Sequence, residues 1–192
     1  MRNCPQRPED GRLRICGRSL RLLLILMLAI FIVGCQQKRP NWHQYSIDEK
    51  LANEIMAKAA AQLKIEKSLC PCGSGGQMMD EIKMLSLSFN YYKEIEIKEG
   101  RALLITAVDT LLSAINADPR IHPYLCNSPF EPKNIEIRIF LRNPDSSQMA
   151  SGKLSAISAL GAILEYQVND PSTPLFKTIY KETYDEALVQ KE

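Results

Sequence analysis

The sequence predicts an α+β fold: one domain over residues 46–192, with elements in the order α-β-α-β-β-α. Its sheet is expected to be mixed and three-stranded, with helices packed mainly on one face. Three observations lead there. Residues 46–66 and 101–116 repeat apolar side chains every three or four positions, the period of a helix. Residues 84–89 and 135–142 alternate apolar and polar side chains, the period of a strand. Breaks rich in Pro, Gly and Asn interleave the two patterns, as expected for helices laid on a sheet.

The first helix is expected to open at Ser46, where Ser46-Ile47-Asp48-Glu49 has the spacing of a capping box. Ile47, Leu51, Ile55, Ala59 and Leu63 form its stripe, and it should run to about Glu66. Cys70-Pro71-Cys72-Gly73-Ser74-Gly75-Gly76 reads as a loop, because Pro and three Gly cannot continue a helix. The first strand follows, with Leu85, Leu87 and Phe89 pointing inward. The second helix, Arg101 to Asn116, buries Leu104, Val108, Leu111 and Ile115 and stops before Asp118-Pro119. Residues 119–132, with Pro119, Pro123, Pro129 and Pro132, read as an extended crossing anchored by Ile121, Tyr124, Leu125 and Phe130. The second strand, Ile135–Arg142, places Ile135, Ile137, Ile139 and Leu141 on one face. A turn at residues 143–147 leads to a third strand from Leu154 to Val168, with a bulge expected at Gly161. The last helix should start at Thr173-Pro174 and carry Phe176, Ile179, Tyr180, Thr183, Tyr184, Ala187 and Leu188 as its stripe. Strands one and two should be parallel across the helical crossover, and strands two and three a hairpin.

Composition narrows the function classes. The chain has 192 residues and is 45% apolar and 24% charged, which excludes wholesale disorder. Its 24 Lys and Arg outnumber 22 Asp and Glu, but the excess lies in residues 1–34, which hold six Arg and two acids. The rest carries 18 basic and 20 acidic residues, so no basic surface for nucleic acid is expected there.

The same leader has the three parts of an export signal. A basic stretch runs to Arg21, and the apolar run Leu22–Val33 follows. Its 12 residues are fewer than the roughly 20 of a membrane-spanning helix. It ends in Ile32-Val33-Gly34-Cys35, which resembles the lipobox of bacterial lipoproteins. The resemblance implies removal of residues 1–34 as a signal peptide and attachment of acyl chains to Cys35, whose thiol is the nucleophile. Residues 35–45 would then be the lipidated N-terminus and a polar tether, with Trp42 and Tyr45 placed either at the bilayer interface or on the domain. Gln36 follows the cysteine where inner-membrane retention uses Asp, which points to the outer membrane, facing the periplasm. The partners expected are the membrane, through the anchor, and an envelope protein.

Export leaves Cys70, Cys72 and Cys126 in an oxidising compartment. A disulfide from Cys126 to Cys70 or Cys72 would close about 55 residues and contribute ~2–4 kcal/mol. The alternative is a metal site of Cys70, Cys72, His122 and Cys126, the Cys₃His set that suits zinc. With it would go an envelope enzyme or metal-binding protein in place of a binding module. Cys70–Gly75 is also similar to the opening of the zinc-binding tail of the bacterial preprotein translocase motor, but Asp80-Glu81 stand where its second ligand pair belongs. The chain has two His and no Gly-x-Ser-x-Gly, so no catalytic set converges and no cofactor is expected. The remaining candidate is a protein-docking surface. Arg138, Phe140 and Arg142 lie opposite the isoleucines of their strand, beside Glu136. The plainer expectation for that face is solvated cross-strand pairing such as Arg138 with Glu165.

Overall fold

The computed structural model describes residues 46–172 and 175–190. The signal segment, Cys35, the tether and the Thr173-Pro174 pair lie outside them. No helix among the described residues is long and apolar enough to cross a membrane.

Helix α1 spans Ile47–Lys67 and buries Ala52, Ile55, Met56, Ala59, Ala60 and Leu63. Ser46 occupies the N-cap, but its side chain makes no cap hydrogen bond, so the expected capping box does not form. At the other end Ser68 takes a left-handed conformation, with φ 59°. The Ser68 N–H then donates to Lys64 O at 3.1 Å and the Leu69 N–H to Leu63 O at 3.4 Å, which satisfies two terminal carbonyls and buries Leu69.

The sheet has six strands, not three, in the spatial order β1-β2-β3-β4-β5-β6. Strand β1 is Cys70–Met78, the segment expected as a loop. It pairs antiparallel with β2, Ile82–Tyr91. An edge strand tolerates Pro71, because it is paired on one side alone, and it tolerates glycines that bring the backbones close. Cys72 is the extra residue of a bulge, since Pro71 faces Phe89 and Gly73 faces Ser88.

Helix α2, Ile97–Asn116, starts one turn earlier than predicted, where the Glu96 N–H donates to Glu99 Oε2 at 3.1 Å. It carries the chain across to β3, Ile135–Leu141, which runs parallel to β2 as expected. The proline-rich crossing contains two short 3₁₀ turns, His122–Tyr124 and Pro132–Asn134, and buries Ile121, Leu125 and Phe130.

The predicted third strand is two strands, β4 Leu154–Leu160 and β5 Ile163–Asn169, paired antiparallel. Gly161 and Ala162 both have positive φ, 59° and 64°. That is the two-residue turn whose twist matches a hairpin, so Gly161 reverses the chain instead of bulging it. The predicted last helix is also divided, into β6 Phe176–Thr183 and the short α3 Tyr184–Val189. The apolar spacing misled for a physical reason. Gln167 faces Thr178 while Tyr166 faces Tyr180, so Ile179 is bulged out and the alternation of β6 breaks into a helix-like stripe. Thr183 is the true N-cap, accepting from the Glu186 N–H at 3.2 Å.

One face of the sheet carries the core. Leu85, Leu87, Phe89, Ile135, Ile137, Ile139, Ile157, Leu164 and Tyr166 are buried there, with the apolar faces of α1 and α2 and with Tyr184 and Ala187 of α3. Burial at Arg101 and Glu182 is matched by pairing: Arg101 Nε donates to Glu182 Oε1 at 2.8 Å, and the Tyr166 hydroxyl donates to the same oxygen at 2.5 Å.

Candidate functional site

Among the described residues the opposite face bears no helix, and the strand registers map it row by row. The first row reads Cys70, Asn90, Phe140, Ala156, Gln167, Thr178. The middle row reads Gly73, Ser88, Arg138, Ser158, Glu165, Lys181. The third reads Gly75, Ser86, Glu136, Leu160, Ile163, Thr183. Over β4 the first two rows hold only Ala156 and Ser158. These small side chains floor a trough of about 460 Å³, walled by Arg138 and Phe140 on one side and by Glu165 and Gln167 on the other.

The expected pair between Arg138 and Glu165 does not form, because β4 separates their strands. Two strand spacings put about 10 Å between the two backbones. Each charge instead finds a nearer partner. Arg138 Nη2 lies 2.7 Å from Glu136 Oε1, and Lys181 Nζ lies 2.5 Å from Glu165 Oε1. The hydrogen bond from Lys181 holds the Glu165 carboxyl below the usual carboxylate range, against partial desolvation that pulls it up.

Phe140 and Phe176 close one end of the trough. Their strands are three spacings apart, about 14 Å, yet the ring centroids are 6.4 Å apart. The rings therefore lean toward each other above the small floor. Arg142 places its guanidinium carbon 5.9 Å from the centroid of Phe140, within cation–π reach. The three residues singled out in the sequence, Arg138, Phe140 and Arg142, thus share one face. Phe176 was missed, because the helical reading of its segment hid its place on the sheet edge.

The cysteine candidates are not brought together. Cys70 faces Asn90 at one end of β2, while the Cys126 N–H donates to Ile82 O, 3.0 Å away, at the other end. Eight residues of strand separate those ends, about 26 Å, far beyond the Cα separation of a disulfide. Cys70, Cys72 and Cys126 are free thiols. The Nε2 of His122 lies 3.1 Å from Asn116 O. No group of three or more His, Cys, Asp or Glu side chains able to hold a metal occurs among the described residues. Cys72 borders a second cavity, about 530 Å³, between α1 and β1. Burial pushes its thiol up, toward the protonated and less nucleophilic form, and the charge of Arg142 opposes this.

Comparison with protein-family models, with curated proteins and with solved structures found no match to the chain.

Proposed function

We propose that this protein is a lipid-anchored lipoprotein of the bacterial cell envelope. It is held by Cys35 in the outer membrane, faces the periplasm, and acts as a non-catalytic binding module for another envelope protein. The anchoring half of this reading rests on the apolar run ending in Gly34-Cys35. The binding half rests on one observation: a sheet with three helices on one face and an aromatic, charged trough on the other. Apolar side chains also concentrate at that trough, where Leu160, Ile163 and Phe176 are exposed.

The sheet edges favour docking by face over docking by strand addition. On β1, Pro71 and the bulge at Cys72 interrupt the ladder, and on β6 the bulge at Ile179 and the charges of Lys177 and Lys181 do the same. These are the devices by which natural edges resist pairing with another chain.

Photo-crosslinking in native cells tests the reading. A benzophenone amino acid placed at Phe176 or Ser158 should give discrete adducts with an envelope protein. The same probe on exposed helix positions, Lys58 and Ser113, should give none. Equal adducts from both sets would remove the face from its assigned role. Replacing Cys35 by Ser should abolish labelling with a palmitate analogue and leave the larger, unprocessed chain; unchanged labelling would overturn the anchor.

A further inference from the structure

We propose that the trough takes an extended protein segment carrying an apolar side chain next to a carboxylate. The apolar side chain would sit against Phe140 and Phe176, and the carboxylate on Arg142. This rests on the docking-face reading above and specifies the chemistry of its ligand.

The charges of the face point to the carboxylate. Arg138, Glu165 and Lys181 line the trough, Glu136 lies beside Arg138, and Arg142 flanks it against the ring of Phe140. Arg138 is paired with Glu136, and Lys181 with Glu165. Arg142 makes no ion pair among the described residues; its partner is the π-face of Phe140. The face therefore carries one cation more than its carboxylates neutralise. That cation is half-buried and already positioned beside an aromatic ring, so little side-chain freedom remains to be lost when an anion arrives.

The apolar side chain follows from the neighbouring rings. Phe176 is 38% exposed although it leans on Phe140, so the ring pair keeps an open apolar surface facing the trough. The extended form of the ligand follows from the floor. Between the β3 and β5 walls the opening is about 10 Å wide, whereas a helix with its side chains is about 10–12 Å across and fits only above the walls. Ser158 and the side-chain carbonyl of Gln167 lie along the trough, where they meet a passing backbone.

The test uses the full-length chain in detergent micelles and short fluorescein-labelled peptides with a central Asp-Phe, Lys-Phe or Asp-Ser pair. Binding is read by fluorescence anisotropy. Asp-Phe should bind about tenfold more tightly than Lys-Phe, as expected for one partly desolvated charge pair. Arg142→Gln should erase that preference and Arg142→Glu invert it. Phe140→Ala should reduce Asp-Phe to the level of Asp-Ser. Unchanged circular dichroism of each variant excludes misfolding as the cause, and Arg142→Gln serves if the charge reversal does not fold. Equal affinity for Asp-Phe and Lys-Phe, no binding of any peptide, or an unchanged order in Arg142→Glu would overturn the proposal. So would self-association of the chain that displaces all peptides alike, since it would assign the face to a second copy. If crosslinks at Phe176 persist without charge preference, the docking face stands and only the ligand chemistry falls. If both are absent, the face itself falls.

Discussion

Glu182 is the residue on which the edge of the sheet turns. Its side chain is 2% exposed, yet it sits on the outermost strand and reaches inward to Arg101 of α2 and Tyr166 of β5. Its second oxygen, Oε2, has no hydrogen-bond partner. Burial and the adjoining carboxylate keep the Tyr166 phenol protonated far above the ordinary range. Glu182→Ala should therefore leave Arg101 charged, buried and unpaired. The expected loss, read as a urea unfolding midpoint, is about 3 kcal/mol, the lower end for breaking a buried pair. Glu182→Gln should lose less, because its amide oxygen still accepts from Tyr166. Equal losses would show that charge pairing is not what Glu182 contributes. A second residue-scale expectation concerns Asp118. Its hydrogen bonds from Arg120 hold the carboxyl down at about 2. A depressed carboxylate stabilises the fold while ionised, so this contribution is present above the ordinary carboxylate range and is lost as pH falls through about 2. An NMR titration should find that midpoint; one in the ordinary range would dissolve the Arg120 cluster.

Among the elements, β1 depends most on a glycine. A Cβ on Gly76 would lie 2.6 Å from the backbone oxygen of Met84 and 3.1 Å from Leu85 Cδ2, whereas one on Gly73 would sit at an ordinary 3.5 Å from Ser88 Cβ. Gly76→Ala should cost about 1–3 kcal/mol as the strands are pushed apart, and Gly73→Ala should stay within about 0.5 kcal/mol. Thermal unfolding of the two variants separates them, and equal midpoints would contradict the close approach. The elements also show what periodicity can and cannot encode. Helix α1, helix α2, β2 and β3 were legible because each has one apolar face against the core, and the one irregularity of β2, at Lys83, falls outside its alternating run 84–89. Strands β1, β4, β5 and β6 were not. Glycines erase side-chain alternation in β1, the Gly161-Ala162 turn sits inside a continuous apolar run, and the Ile179 bulge gives β6 a false helical period. The candidate face was legible in part for the same reason. Arg138 and Phe140 lie on regular β3 and Arg142 directly follows it, while Phe176 and Lys181, which complete the face, lie on the bulged edge.

For the whole molecule, the consequence is a two-sided domain: helices and core on one face, a floored and walled trough on the other. The same layout sets the thiols at opposite ends of β2. Peptide mapping of unreduced protein should find no linkage of Cys126 to Cys70 or Cys72; either linkage would require the sheet to be rebuilt. The proposed lipid anchor would turn such a domain into an envelope module, and it is open to direct inspection. The intact mass of the protein extracted from native membranes should correspond to a chain beginning at Cys35, increased by a diacylglycerol group. A mass matching the unmodified chain from Met1 would contradict the lipoprotein assignment at its root.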